Sequence, residues 1–531
     1  MQAVFSRWGM PLLATAGGAL FPLAFSPIDL PWFSALSLAL LLLAWRDATP
    51  KQAAWRGLCW GAAAFGVGVS WVHVAIRDFG QAPLALSLFL TAGMVIALAL
   101  FVAAAGWLLV RIFPAPGARM LAFAPLWLIG EFLRGHLFTG FPWLFAGYSQ
   151  TDTVLRHLMP WLGVYGASLA VALAATLLLW SAQPMSSRVT SKPVSSPAAT
   201  SSPRRPRRWL LNAVVAVVLI GLLTPQAQTP ATMPAASATT PKLSVALVQA
   251  NIEQSLKWQP EQLNRILHQY QELTLPLLGK VDAVIWPEAA IPAFADNLGD
   301  YFPRLNQAAL DAGTALITGL PVANADGRYY NAIVGLGTAS GRYDKRHLVP
   351  FGEYVPFQSV LRGMFAFFNL PMSGFSEGER AAQLTLGSQA MVGAVCYEIA
   401  YPELVRDNVR ALNGGAGYLL TVSNDAWFGT SFGPWQHLQI ARSRALENGV
   451  PVIRATVTGV SAVIGPDGRI TDRLPQFETA ILRTTVTAQK PDTLWVHWGL
   501  LPVSIFVALL LGIAGWQQRL NSRSKAPELQ P

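Results

Sequence analysis

The sequence predicts two joined parts, a polytopic α-helical membrane domain of about eight spans and a layered α/β domain outside the bilayer. Three observations carry this reading. Only 12% of the 531 residues are charged and 53% are hydrophobic, with a mean hydropathy of +0.39; an ordinary soluble chain carries about 25% charged residues. The deficit is concentrated, because residues 1–181 hold only 14 charged side chains, nine basic and five acidic. Beyond residue 243, short β-branched runs alternate with amphipathic helical stretches instead. A purely cytosolic enzyme and a disordered chain are both excluded.

Apolar runs approaching the ~20 residues of a span occupy 8–26, 32–45, 57–76, 83–110, 120–133, 161–180, 209–223 and 495–517. The runs at 32–45 and 120–133 are short, so buried or re-entrant helices are the alternative there. A cleavable signal peptide accounts for at most the first run. Arg7, the Arg46–Lys51–Arg56 loop, Arg111 with Arg119, Arg204, Arg205, Arg207 and Arg208, and the basic tail fall on one side if eight helices alternate. By the positive-inside rule that side is the cytoplasm. The expected organisation is therefore six spans in 1–181, a cytoplasmic basic Ser/Pro-rich linker at 182–208 and a seventh span at 209–225. An extracytoplasmic domain at 226–490, an eighth span at 495–517 and a cytoplasmic tail at 518–531 follow.

The net charge of +10 divides in the same way. Residues 1–181 contribute +4, 182–225 contribute +6, and the 226–490 domain is close to neutral at −1. The basic excess thus reports membrane orientation, and nucleic acid is dropped as a partner.

Within 226–490 the pattern predicts strands at 244–249, 281–286, 315–319, 330–336, 390–395 and 417–423. Helices are expected at 260–278, 303–312 and 434–448, and a late hairpin over 451–465 with Pro466-Asp467-Gly468 as its turn. About 260 residues suffice for one large core. No internal repeat, phosphate-binding glycine loop or dinucleotide fingerprint is present.

The chain has two cysteines. Cys59 lies in the third apolar run and Cys396 in the α/β domain, so on this topology they cannot pair. Cys396 is then a lone thiol in an oxidising compartment, either buried and inert or kept for reactivity. Its setting, Val392-Gly-Ala-Val-Cys396-Tyr-Glu398, ends a buried strand just before a helix, which presents a nucleophile beside free backbone N–H groups. Two other segments offer a base and a cation: Trp286-Pro287-Glu288, and Tyr343-Asp344-Lys345-Arg346-His347 followed by Phe351-Gly352-Glu353-Tyr354-Val355-Pro356. The seven His residues show no metal-ligand spacing, and no metal or cofactor is expected.

In order and spacing, the Glu288, Lys345 and Cys396 segments resemble the Glu-Lys-Cys triad of the nitrilase (carbon–nitrogen hydrolase) superfamily. Leu247-Val-Gln249-Ala-Asn251, Ser423-Asn-Asp-Ala-Trp427-Phe-Gly429 and Arg444-Ala-Leu-Glu447-Asn-Gly449 match as well. The resemblance covers 242–487 and implies an αββα sandwich. A nitrilase-like domain inserted before the last of about eight spans further resembles the apolipoprotein N-acyltransferases of bacterial inner membranes. Lys257-Trp258-Gln259-Pro260, Pro350-Phe-Gly-Glu353-Tyr-Val-Pro356 and Ala426-Trp-Phe-Gly429 carry that likeness, whereas the 182–208 linker does not. It implies transfer of a fatty acyl chain from a phospholipid, through a Cys396 thioester, to the α-amino group of an S-diacylglyceryl apolipoprotein.

The resemblance also implies roles. Glu288 is the general base, Lys345 stabilises the oxyanion together with the Tyr397 N–H, and Cys396 is the nucleophile. Glu353 and Glu398 orient the lysine and the base or relay a proton, a structural ion pair being the alternative for either. Asn331 is a hydrogen-bond partner on the lysine side. Trp258 and Trp427 suit an acyl pocket, while Phe367 and Phe368 sit in the apolar 361–375 segment, read as a lid dipping into the outer leaflet or else a helix on the domain's own core. Glu131 and Arg134, near a span end, are placed to pair with each other or to meet a lipid headgroup. A membrane-anchored amidase and an inactive scaffold or transporter are the rival readings.

Overall fold

The computed structural model describes residues 2–80, 82–181, 221, 224–225, 241–350, 352–354 and 374–523. Its membrane-side half is a bundle of apolar helices, among them Gln2–Leu20, Trp32–Trp45, Pro50–Gly68, Leu84–Ile112, Pro116–His136, Met159–Ser181 and Leu501–Arg523. The Pro50–Gly68 helix starts sharply because Thr49 and Gln52 form a reciprocal capping box ahead of Pro50. It then lies directly against Leu84–Ile112. A Cβ on Gly61 would come 2.7 Å from Ala99 Cα, so only glycine lets the two backbones approach this closely.

Among the described residues, three helices are long and apolar enough to cross a membrane: Leu84–Ile112, Val154–Ser181 and Leu501–Ser522. A fourth span results if Pro50–Gly68 and Val72–Asp78, bent by 59°, are taken together. Of the eight runs expected to span, these helices account for at most four by length and composition among the described residues. The 32–45 run is a helix of 14 residues, too short for a straight crossing. The 120–133 run lies inside Pro116–His136, which buries Arg119, Glu131 and Arg134. The 209–223 run, Gly221 apart, lies outside the described residues.

Among the described residues the α/β half contains thirteen strands in two sheets: β1 (Lys242–Gln249), β2 (Ala283–Ile285), β3 (Ala315–Ala323), β4 (Tyr329–Gly337), β5 (Ala339–Ser340), β6 (Arg342–Asp344), β7 (Gln383–Leu386), β8 (Gln389–Val395), β9 (Gly417–Ser423), β10 (Val452–Thr456), β11 (Ala462–Ile464), β12 (Ile470–Arg473) and β13 (Ala480–Thr487). One sheet runs β13-β1-β2-β3-β4-β6 and the other β12-β11-β10-β9-β8-β7-β5. β1, β2 and β3 are mutually parallel, as are β8, β9 and β10. Apolar runs such as Leu419–Val422 and Ala283–Ile285 suit these central strands, which are covered on both faces.

The sheets pack face to face through Val245, Leu247, Ile285, Ile317, Tyr343, Val395, Leu420 and Ile453. Helices Leu263–Thr274 and Tyr301–Asp311 cover the first sheet through Ile266, Tyr270, Phe302 and Leu305. The second sheet is covered by Pro402–Arg410 and Gly433–Asn448, whose core continues without a break into the membrane helices. This is an αββα sandwich docked on a helical bundle. The Pro466–Gly468 turn joins β11 to β12 rather than closing a 451–465 hairpin; β10 and β11 pair with each other across residues 457–461.

Gly433–Asn448 is buried along its length except at Trp435, although it carries Gln436, His437, Arg442, Arg444 and Glu447. Each of these polar groups has a partner, which is how such burial is tolerated. Gln436 Oε1 accepts from the Trp71 and Trp143 indoles at 3.2 and 2.6 Å. Arg442 holds Asp152 in a two-pronged pair at 2.8 and 2.5 Å, and Glu447 accepts from the Val164 N–H at 2.7 Å. The α/β domain is thereby fixed against the membrane domain.

Candidate active site

The site forms where the parallel strands end, as open α/β folds generally arrange it. β8 stops at Val395, and Cys396 follows with φ +53°, a left-handed conformation unusual for a side-chain-bearing residue. The short helix Cys396–Ala400 begins there, so the thiol stands on a sharp strand-to-helix elbow. Burial, and next the Glu288 carboxylate, push the Cys396 thiol well above its ordinary range, so at rest it is protonated.

Glu288 lies three residues beyond β2 and is 5% exposed. Its Oε1 accepts from Asn331 Nδ2 and its Oε2 from the Asn424 backbone N–H, both at 2.8 Å. Gly319 on β3 makes this placement possible, since a Cβ there would sit 2.7 Å from both Glu288 Cα and the Pro287 oxygen. Gly319→Ala is therefore expected to lower the melting temperature and displace the Glu288 carboxylate, lowering kcat of the folded enzyme by about 10²-fold, the scale set by a 1 Å misplacement. Steady-state kinetics beside a melting curve checks this, and an unchanged kcat would show that the backbone yields.

Lys345 follows β6 and is 1% exposed. Its ammonium donates to Glu353 at 2.9 and 2.8 Å and lies 3.7 Å from Glu288 Oε1. Burial alone would lower its pKa, but the Glu353 and Glu288 carboxylates outweigh it and hold the ammonium firmly charged. Glu353 also accepts from Asn331 Nδ2 at 2.9 Å and from the Val349 N–H at 2.8 Å. Asn331 thus bridges the two carboxylates with its two amide hydrogens, closer to the base than a partner on the lysine side alone.

Glu398 acts on the backbone that carries the site. It is fully buried and accepts from the Val395, Arg346 and His347 N–H groups at 2.7, 2.6 and 3.0 Å and from the Tyr343 hydroxyl at 3.1 and 3.0 Å. One carboxylate therefore ties the end of β8 to the loop that carries Lys345. Burial lifts its pKa to about 7, with the backbone N–H groups opposing.

Tyr397 points its hydroxyl to the Gly140 carbonyl of the membrane half, at 3.2 Å, so its side chain joins the two domains while its N–H stays at the elbow. Trp258 is half-buried, with its indole N–H enclosed and without a partner among the described residues. Trp427 is half-buried on the turn Asp425–Phe428 that follows β9. Phe367, Phe368 and most of the 361–375 segment lie outside the described residues. Glu131 and Arg134 are both buried, Glu131 accepting from Trp127 Nε1 and the Ala146 N–H, Arg134 donating to the Phe141 and Trp143 carbonyls.

Two further groups belong to the site. Lys257 is fully buried and donates to the backbone carbonyl of Glu288 at 3.3 Å; burial lowers its pKa to about 8, partly offset by Glu288 and Cys396. The Asp425–His437–Arg454 cluster packs behind the elbow. The Lys257-Trp258 motif was a visible signal for the first. For the second, only Asp425 stands in a motif, Ser423–Gly429; His437 and Arg454 carry no signal, because the members are brought together from a turn, a helix and a strand.

A thiol on an elbow, a buried carboxylate held ready to accept a proton and a fixed ammonium make up an apparatus for acyl transfer. On a face-to-face two-sheet sandwich, they place this half of the molecule among the carbon–nitrogen hydrolases. Residues 244–491 match the family model described as carbon–nitrogen hydrolase, and residues 17–177 the apolipoprotein N-acyltransferase N-terminal domain. The chain is 45% identical to the apolipoprotein N-acyltransferase of Azotobacter vinelandii, over 98% of each chain. It is 43% identical to that of Vibrio cholerae, over 98% of this chain and 99% of the relative. Among solved structures, a carbon–nitrogen hydrolase superfamily protein of Xanthomonas campestris is 21% identical, with a TM-score of 0.37 over 46% of this chain and 91% of its own. The chain belongs to the apolipoprotein N-acyltransferase family, and it is an acyltransferase of bacterial membranes with a carbon–nitrogen hydrolase catalytic domain.

Proposed function

We propose that this enzyme moves a fatty acyl chain from a membrane phospholipid to the α-amino group of an apolipoprotein's N-terminal S-diacylglyceryl cysteine, through a thioester on Cys396. The observation that carries the reading is the junction of Glu288, Lys345 and Cys396 in one buried site on a domain docked to membrane helices. Glu288 takes the thiol proton as sulfur attacks the donor's ester carbonyl. The tetrahedral oxyanion is met by the Lys345 ammonium and the Tyr397 N–H. Glu288 returns the proton to the departing lysophospholipid hydroxyl, leaving the thioester. The lipoprotein amine then enters, loses a proton to Glu288 and collapses onto the acyl carbon, releasing the thiol.

The test withholds the acceptor. Purified enzyme incubated with phospholipid alone should gain one acyl mass on Cys396, and added diacylglyceryl peptide should discharge it as N-acyl product. Discharge to free fatty acid, with no acylated peptide, would instead support an amidase-like hydrolase.

The proposed topology places 226–490 on the periplasmic side of the inner membrane, with the 182–208 linker and the 518–531 tail in the cytoplasm. The basic residues flanking the apolar runs support this orientation and the arrangement of about eight spans. In a Cys59→Ala, Cys396→Ala background, a cysteine at Asp326 should react with a membrane-impermeant reagent in intact spheroplasts. One at Ser195 should react only after lysis. The opposite pattern would overturn the orientation.

A further inference from the structure

The elbow at Cys396 is strained, and something must hold it. His437, on the buried Gly433–Asn448 helix, places Nε2 3.2 Å from the Cys396 carbonyl oxygen. A carbonyl only accepts, so Nε2 carries the proton. On the ring's other side, Nδ1 lies 3.0 Å from Asp425 Oδ1 and 3.1 Å from Arg454 Nη2. Arg454 is itself paired with Asp425 Oδ2 at 2.5 Å. Ser423 donates to Asp425 Oδ1 at 2.6 Å, and its hydroxyl oxygen is 3.4 Å from Cys396 Sγ. Trp143 and Phe428 enclose the imidazole, with ring centroids 5.6 and 5.9 Å away. Asp425, His437 and Arg454 are each at most 1% exposed.

The Cys396 carbonyl and the Tyr397 N–H belong to one planar trans peptide and point in opposite directions. Whatever grips the oxygen therefore aims the N–H. A donor on the oxygen also polarises the peptide and strengthens the N–H as a donor on its far side. We propose that His437, braced by Asp425 and Arg454, is a positioning residue for acyl transfer: it anchors the Cys396–Tyr397 peptide so that the Tyr397 N–H faces the developing oxyanion. The inference rests on the reading of Cys396 as nucleophile.

The test separates a reaction that builds an oxyanion from one that does not. Full-length enzyme with Cys59→Ala is compared with its His437→Phe and His437→Gln variants. Two rates are measured: thioester formation on Cys396 with phospholipid alone, followed by intact-protein mass, and alkylation of Cys396 by iodoacetamide. Alkylation displaces iodide at a saturated carbon and needs no oxyanion donor. Phenylalanine keeps the ring packing and the Asp425–Arg454 pair but removes the proton on Nε2, whereas glutamine returns an N–H near the same place. His437→Phe should slow thioester formation about tenfold, a fraction of the roughly 10²–10³ lost when an oxyanion donor itself is deleted. Alkylation should keep its rate, and His437→Gln should recover most of the acylation. Unchanged acylation in the Phe variant, an equal fall of both rates, or no recovery with Gln would overturn the proposal. If the His437-containing enzyme takes up no acyl group on Cys396, the nucleophile reading itself fails and this inference falls with it.

Discussion

Cys396→Ser is expected to abolish acyl transfer, with turnover falling by at least about 10⁴-fold, on the scale seen when a covalent nucleophile is removed. The hydroxyl keeps the elbow and the Ser423 contact. It is far less acidic than a thiol, and Glu288 has to remove its proton before attack. Burial already makes the native thiol hard to ionise, which leaves no margin for a weaker acid. The melting curve should hardly move, because serine is close to cysteine in shape and the neighbours of this half-buried residue are unaltered. Intact-protein mass after incubation with phospholipid should show no thioester adduct. Full transfer by this variant or by Cys396→Ala would sink the covalent mechanism.

Glu288→Gln should be nearly as damaging, by roughly 10²–10⁴-fold, the usual contribution of a positioned general base. The amide keeps the shape, but it cannot take the thiol proton. The variant also has a second signature with the opposite sign. The Glu288 carboxylate raises the thiol pKa, so its removal should lower that pKa and move the pH profile of iodoacetamide labelling toward lower pH. Lost acyl transfer together with an easier-ionising thiol is what a base produces. A merely structural glutamate would depress both reactions, and that joint loss is the outcome that would reject its role. Acyl transfer near the normal rate would reject it too.

Much of this molecule was legible in the chain. The apolar-rich runs at 244–249, 390–395 and 417–423 became β1, β8 and β9 because strands buried on both faces favour apolar side chains at most positions. Cys396 stood out because a lone thiol at a strand's end, followed by Tyr-Glu, has few structural uses. The late strands were harder. The 480–487 run mixes Arg483 with threonines, as an edge strand does, and only its pairing with β1 reveals it. The number of spans is less legible for a related reason. Apolar composition marks residues that avoid water, but a 14-residue helix packed inside the bundle avoids water as well as one in lipid does.

The sequence by itself determined the division into an apolar helical half and an α/β half. It also determined the order of Glu288, Lys345 and Cys396 and the side-chain types each step of the chemistry requires. These follow from local composition and spacing. Only the tertiary structure decided that Asn331 links Glu288 to Glu353, that Glu398 joins β8 to the Lys345 loop, and that His437 reaches the carbonyl of Cys396. The physical reason is that hydrogen bonds act over about 3 Å in space, while these partners lie 22 to 52 residues apart along the chain. No periodicity in a sequence encodes such a meeting; the convergence of β2, β6, β8 and β9 at one end of two packed sheets creates it.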